Sequence, residues 1–288
     1  MKKGIIMAGG KGTRMHPLTK VINKHLLPIY DKPLIFFPLS VLMMLGIKEV
    51  LIIHNPKDLE NFENLLGNGS HLGIKIYYKQ QNVPAGIPEG IKIAEDFLNN
   101  ESFAFILGDN IFFGQDFTKI LKTLQNFKKG CVLFTKTVND PERFGVLYKK
   151  KDKLIEIIEK PKKPKSYLAV TGLYIYDNKA INICKKLKKS KRRETEITEL
   201  NNFYLKKGFV KEIELGRAFT WIDAGTPDSY LSSSNVVQQH QKKNFFQIAC
   251  LEEIAYNRGN ISKKNFIDLI LQEKNPEQKK YLEKLLKK

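Results

Sequence analysis

Gly9, Gly10 and Gly12 fall within four positions, at the end of the short apolar run Gly4–Ala8 and just before Thr13 and Arg14. Glycines at this density let the backbone turn sharply and bring its N–H groups against a ligand with no Cβ in the way. Lys11 and Arg14 add positive charge beside those amides, and the combination suits the triphosphate of a nucleotide. The spacing is G-G-x-G-T-R. It matches neither the dinucleotide fingerprint G-x-G-x-x-G nor the phosphate loop G-x-x-x-x-G-K-[ST]. On its own, the loop is equally compatible with a tight strand-to-helix turn that holds nothing.

Two aspartates invite a second reading. Asp109 follows the apolar run Phe103–Leu107, and Asp223 closes the run Ala218–Ile222 in WIDAGT. In open α/β sheets, ligands collect beyond the carboxyl ends of strands. Two carboxylates there, with phosphate oxygens and water, make a natural Mg²⁺ site. Lys24 and Lys160 are candidate phosphate ligands, since lysine acts as a point charge towards phosphate. In so lysine-rich a chain, either could equally be a solvated side chain.

These residues need a frame. Apolar runs at 4–8, 49–54, 74–78, 103–107 and 131–137 alternate with helical patterns at 34–46, 56–66, 91–98 and 117–127. The pattern predicts α/β architecture: a mostly parallel sheet covered by helices on both faces. Gln80–Gly90 reads as an irregular loop. From 144 to 176 the strands at 145–149, 154–159 and 170–176 leave no room for crossover helices, so an antiparallel, substrate-facing sheet is expected. Helices follow at 178–187, 197–206 and 226–241, the last capped by Thr226 with Pro227 at its first position. The rest, from Ala249, is helical. The division expected is a main domain over 1–230, in two parts at 1–140 and 141–230, and a helical extension over 231–288 packed upon it.

Composition narrows the classes. The chain has 288 residues, 42% of them hydrophobic, and a net charge of +19. The apolar runs are too short to cross a bilayer, and the N-terminus enters a strand directly, so a soluble, cytoplasmic protein is expected. Cys131, Cys184 and Cys250 have no metal-ligand spacing and read as reduced thiols. The lysine clusters lie in turns and on polar helix faces, with no aromatic interleaving of the kind that grips single strands. Neither nucleic acid nor membrane is expected as a partner.

The motifs GGKGTRMHPLT, NKHLLPIYDKPLIFFPLSVLMMLGI, LGDNIF, DPERFGV, EKPKKPKSYLAVTGLYIYD, EITELN and WIDAGTPDS, in this order, resemble the nucleotide-sugar pyrophosphorylases, and among them the glucose-1-phosphate thymidylyltransferases. The resemblance implies a Rossmann-like nucleotidyltransferase domain, nucleotide-binding over 1–140 and sugar-phosphate-binding over 141–230. It implies Mg²⁺-dependent transfer from dTTP to glucose-1-phosphate, giving dTDP-glucose and pyrophosphate, in a homotetramer. It implies catalytic roles for Arg14, Lys24, Asp109 and Lys160, and nucleotide contacts from Gly9, Gly10, Gly12, Thr13, Gln81, Gly86 and Asp109. It gives the sugar phosphate to Asn110, Gly145, Glu159, Lys160, Val170, Tyr174 and Arg192, and the metal to Asp109 and Asp223. Some positions depart from the family pattern. His25 stands where glutamine is usual, Phe144 where tyrosine is usual, and Pro88, Glu89 and Gly90 alter a helix start beside the base and sugar. Those departures leave open UTP or an amino or deoxy sugar phosphate as substrate. An inactive nucleotide-binding scaffold is a more distant reading, and a complete set of Arg14, Asp109, Lys160 and Asp223 argues against it.

Overall fold

Apolar runs alternating with amphipathic stretches order the elements of this computed structural model, which describes residues 1–151, 153–190, 192–244 and 246–287. β1 (Lys3–Ala8) leads through short turns to a small hairpin, β2 (Pro28–Ile29) and β3 (Lys32–Pro33). Then come α1 (Phe36–Leu45), β4 (Glu49–His54), α2 (Leu59–Leu66), β5 (Lys75–Gln80), α3 (Ile87–Ile93), α4 (Glu95–Leu98), β6 (Phe103–Leu107) and β7 (Asn110–Phe113). The middle of the chain supplies α5 (Phe117–Lys122), β8 (Cys131–Thr137), β9 (Gly145–Lys150), β10 (Lys153–Glu159), β11 (Leu168–Tyr176), α6 (Lys179–Lys186) and α7 (Ile197–Lys206). It ends with β12 (Val210–Glu214), β13 (Thr220–Asp223), α8 (Pro227–Lys243), α9 (Leu251–Asn257), α10 (Lys263–Gln272) and α11 (Pro276–Leu285).

Strands β5, β4, β1 and β6 lie side by side and parallel. The interior residues of β1, β4 and β6 are continuously apolar, as strands covered on both faces require. β11 then adds antiparallel to β6 and separates it from β8, to which β12 pairs in parallel. The hairpin of β9 and β10 is the expected antiparallel addition.

The break that makes room for a ligand lies in β11. Residues Leu173–Tyr176 pair with β6, whereas Ala169 pairs with Val146 of β9. Between them the register with β8 shifts from Val170 to Tyr174. The sheet therefore splits at Thr171 and Gly172, and a cleft opens between its parallel half and the β9–β10 hairpin.

α1 is apolar on nearly all sides and lies buried. It ends at Gly46, whose φ of 90° is left-handed and whose N–H caps Leu42 and Met43. Residues of α9, α10 and α11 (Leu251, Ala255, Phe266, Ile270, Leu282) join the same buried cluster as Ile6 and Leu39. α8 starts at Pro227, so a division at 230 cuts through a helix. Its start carries the expected Thr226 cap, in a reciprocal capping box with Ser229.

Three expectations need correction. Helix α3 begins at Ile87, inside the segment read as loop, because Pro88 fits the first helical turn. Helix α5 stops at Lys122, not at 127. The residues after Asp109 form a strand, β7, which the short run NIFF did not announce.

Candidate active site

Strand β7 is what brings the two aspartates together. It pairs antiparallel with β13, setting Asp223 opposite Asn110, and the Ala224 N–H donates to the Asp109 carbonyl at 2.9 Å. Both carboxylates line a cleft of about 410 Å³ in the split of the sheet. Lys24 reaches the same point from its own short turn and donates to Asp109 Oδ2. The Asn110 amide donates to Asp109 Oδ1 at 3.0 Å. Burial, the largest single influence, would push the Asp109 carboxyl up, but the Lys24 charge, the neighbouring His25 and the hydrogen bonds from Lys24 and Asn110 together hold it well below the usual carboxylate range. Asp223 goes the other way. Burial and the Asp109 charge hold it above the usual range, against the pull of Lys24, Arg14 and Arg143.

Two carboxylates thus border one cleft, one of them bonded to a lysine ammonium. Among the described residues no group of three or more His, Cys, Asp or Glu gathers around one point. A divalent ion here would take two protein ligands, and phosphate oxygens and water would complete its shell.

Asn110, expected on the sugar phosphate, does line the cleft, but it is 1% exposed and spends its carbonyl inside the protein. Oδ1 accepts from the Gly172 N–H at 3.1 Å and from Trp221 Nε1 at 2.7 Å. It thus ties the break in β11, the metal-side aspartate and the Trp221 wall into one unit. A Cβ at Gly172 would lie 2.5 Å from Asn110 Oδ1. Gly172→Ala should therefore push Asn110 off Asp109 and destabilise the fold by about 2–3 kcal/mol. Urea unfolding measures this, and the same variant should lose activity even at temperatures where it is folded.

Gly145, Glu159, Lys160, Val170 and Tyr174 line the same cleft. Thr198 Oγ1 donates to Glu159 Oε2, which fixes that carboxylate. Lys160 has a φ of 45° and its N–H donates to the Phe144 carbonyl at 2.9 Å. A left-handed lysine is a strained backbone position of the kind that gathers at functional sites.

A second cavity of about 320 Å³ adjoins the first and shares Arg14, Asp109, Glu159 and Lys160 with it. Gly10, Lys24, Gln81, Gly86 and Arg192 line this second space. Gly86 has a φ of 105°, and a Cβ there would lie 2.0 Å from the Thr195 carbonyl, so no other residue fits. The Gln81 side chain is buried, yet neither its Oε1 nor its Nε2 has a partner. An amide desolvated without partners costs about 1–3 kcal/mol, which a ligand with matching donor and acceptor would recover. Arg192 faces Glu159, Glu194 and Glu196 at 3.5–3.7 Å. It lies on the rim of this second cavity and does not line the first.

The other loop residues divide. Gly9 backs onto Gln81, where a Cβ would meet Oε1 at 2.4 Å. Gly12, at φ 61°, lines neither cavity, and its carbonyl accepts from Thr19 Oγ1 at 2.7 Å. Thr13 starts a short turn and lines neither cavity. Pro88, Glu89 and Gly90 line neither cavity. Glu89 pairs with Lys92 at 2.5 Å, and Gly90 lets α3 sit against Met7, where a Cβ would come within 2.7 Å of the sulfur. Gly90 thus seats a helix on β1, and Glu89 lies in neither cavity.

Sequence reading gave no role to Arg143, Thr198, Asn201 or Trp221, all of which line the first cleft. Arg143 Nη2 stands 3.4 Å from Asp223 Oδ2. A signal existed, since the chain has only six arginines among 49 basic residues and three of them, Arg14, Arg143 and Arg192, border the cavities.

His25 is buried beside the Lys24–Asp109 pair. Asn23 Oδ1 can only accept, so the His25 Nδ1, 2.7 Å away, carries the proton of a neutral ring. Burial, and then the Lys24 charge, lower its pKa from 6.5 to about 3. Between those values the unfolded chain binds a proton that the folded one refuses, so stability falls as pH drops from 6.5 towards 3. The loss reaches about 3 kcal/mol at pH 4. His25→Gln cannot titrate, and should lose correspondingly less stability than the native chain between pH 7 and pH 4 in paired denaturant titrations.

The fold and the site define a class: the chain belongs to the nucleotidyl transferase family, whose model matches residues 3–240. Within it the chain is similar to glucose-1-phosphate thymidylyltransferases. That of Neisseria meningitidis serogroup A / serotype 4A is 45% identical over 287 residues, 99% of this chain and 100% of the relative. That of Mycolicibacterium smegmatis is 44% identical over 260 residues, 90% of each chain. A crystal structure from Bacillus anthracis assigned to the same activity, in complex with a sucrose, superposes with a TM-score of 0.76 at 41% identity, covering 82% of this chain and 95% of its own. A UDP-glucose pyrophosphorylase complexed with UDP-glucose superposes at 0.72 with 26% identity, covering 85% of this chain and all of its own.

Proposed function

We propose that this enzyme transfers a thymidylyl group from dTTP to glucose-1-phosphate, forming dTDP-glucose and pyrophosphate. The observation that carries the reading is the placement of Arg14, Asp109 and Lys160 on the shared wall of two adjoining cavities. One cavity has hydrogen-bonding groups suited to a sugar, and the other an orphaned amide suited to a base edge. The names of the similar proteins supply the substrates.

An oxygen of the sugar phosphate attacks the α-phosphorus in line, and pyrophosphate leaves. The nucleophile is already an anion, so no general base is required. The barrier is mostly repulsion and misalignment between two anions, which positioning and fixed positive charge lower. In this reading Lys160 and Arg192 hold the sugar phosphate, and Glu159 accepts from sugar hydroxyls. Gly145, Val170 and Tyr174 shape that pocket. Gln81 and the Gly86 backbone meet the thymine edge, Gly9, Gly10, Gly12 and Thr13 carry the nucleotide, and Arg14 and Lys24 contact its phosphates. Asp109 and Asp223 would hold Mg²⁺, which neutralises phosphate charge when bound. The assignment of 1–140 to the nucleotide and 141–230 to the sugar phosphate belongs to the same proposal, as do a cytoplasmic location and a homotetramer.

Pyrophosphate release, measured with Mg²⁺ over a grid of nucleoside triphosphates and sugar-1-phosphates, tests the reading. The pair dTTP and glucose-1-phosphate should lead. A second reading keeps the chemistry with UTP, because the Gln81 amide would meet uracil by the same groups and a UDP-glucose pyrophosphorylase shares the fold. A lead for UTP in the grid would establish it.

A further inference from the structure

In the wall of the first cleft, Asn201 has only half of its hydrogen-bonding capacity in use. It is 1% exposed and borders the cleft from α7. Its Oδ1 accepts from the Tyr176 hydroxyl at 2.5 Å, and Tyr176 lies fully buried behind it. That separation fits O–H···O and is short for an amide N–H on a hydroxyl. The carbonyl end therefore faces the tyrosine, and the NH₂ end faces the other way. Nδ2 has no protein partner among the described residues, and it is not sealed off from the cleft. Its N–H groups are available to what enters there.

Two ties aim this amide. Asn202, the next residue, fastens α7 to β10 as a neighbouring strand would: Oδ1 accepts from the Ile157 N–H at 2.9 Å, and Nδ2 donates to the Ile157 carbonyl at 2.7 Å. β10 ends in Glu159, so the same tie sets that carboxylate against α7. Thr198 lies three residues before Asn201, on the same helix face, and its hydroxyl donates to Glu159 Oε2. α7 and β10 thus offer the cleft an amide donor and a carboxylate acceptor. A sugar hydroxyl both donates and accepts. A carboxylate can only take its proton, and an amide nitrogen supplies the bond that its oxygen lacks.

We infer that Asn201 is a sugar-specificity residue: its Nδ2 donates to the oxygen of one hydroxyl of the sugar phosphate, and Tyr176 is the positioning residue that holds the amide in that orientation. The assignment rests on the proposed transfer to a sugar-1-phosphate and deepens it. A sugar lacking that hydroxyl leaves a buried amide unpaired, and a site built to bond a polar group rejects such an analogue strongly. A protonated amine at the same position is rejected as well, because an ammonium has no lone pair to accept with.

The test compares glucose-1-phosphate with its monodeoxy analogues, at saturating nucleotide, in the native chain and in Asn201→Ala/Tyr176→Phe. Removing both partners leaves no buried hydroxyl orphaned. The expected result is a rise of about tenfold in KM for glucose-1-phosphate, with KM for the nucleotide within about twofold. For one deoxy analogue alone, variant and native chain should be equal, since the bond is absent from both. An unchanged KM for glucose-1-phosphate, an equal rise for the nucleotide, or an equal loss on every analogue overturns the assignment. Asn201→Asp keeps the shape and the acceptor for Tyr176 but puts an acceptor where the donor stood. It should fall at least as far as the double variant, and native-like activity would overturn the assignment even if the double variant fails to fold. If the native chain binds glucose-1-phosphate without turnover, the transfer reading falls, and the same comparison is read from calorimetric affinities. If it neither turns over nor binds glucose-1-phosphate, the transfer reading and this assignment fall together. Normal native turnover with no selective effect of the variants overturns the assignment alone.

Discussion

Asp109→Asn is expected to lower kcat/KM by about 10³-fold or more, because it removes the charge around which Lys24, Asn110 and the incoming phosphates are arranged. It should also destabilise the fold. Lys24 and Asp109 are both largely buried, with side chains 11% exposed, and removing one partner strands the other. Breaking a buried pair in this way costs about 3 kcal/mol or more. Asp223→Asn makes the informative contrast. Its carboxyl is held above the usual range by burial and by Asp109. A raised carboxyl contributes stability that is present at low pH and lost as pH rises through its folded value, so at pH 7 its ionisation opposes folding. The asparagine variant should lose activity on a similar scale while its metal-free Tm stays level or rises. Steady-state kinetics beside thermal unfolding separate the two. Equal destabilisation by both substitutions would mean that the carboxylates are held for packing and not for a cation.

Arg14→Ala should be the second large effect, with kcat falling about 10²- to 10³-fold and Tm nearly unchanged. Arg14 is exposed, borders both cavities and makes no ion pair among the described residues. Little in the folded protein depends on its charge. A guanidinium held free over the junction of the two cavities is placed to act on a ligand alone. Gly225 leaves room for it, since a Cβ there would lie 2.7 Å from an Arg14 terminal nitrogen. Arg14→Lys should recover only part of the loss, because a lysine offers a point charge where arginine offers a planar fork. A large fall in Tm for Arg14→Ala would contradict this and assign the residue to structure.

The candidate site was legible in the sequence where its signals are local. The glycine density at Gly9–Gly12, the charges at Lys11 and Arg14, and the placement of Asp109 and Asp223 after apolar runs each depend on a few neighbouring residues. The parallel strands β1, β4 and β6 were legible for the same reason, since a continuously apolar run of five or six residues has few places to go except the interior of a sheet. The helix caps at Gly46 and Thr226 likewise follow from single residues. The family resemblance added the substrate-side residues, which no local pattern marks.

What the sequence did not reveal depends on contacts between distant segments. Strand β7 is four residues long, and only its pairing with β13, more than a hundred positions away, makes it a strand and sets Asp223 beside Asp109. The break in β11 at Thr171 and Gly172 arises because two different strands compete for one edge. Arg143 and Trp221 enter the site only through those pairings. Glu89, which the sequence placed near the substrate, turns instead to Lys92 because α3 starts at Ile87 and rotates it away. Short-range preferences fix which residues turn, cap or lie buried in this protein. Which carboxylates face one another, and which cavities adjoin, is settled by long-range pairing, whose energy is realised only when the whole sheet has formed.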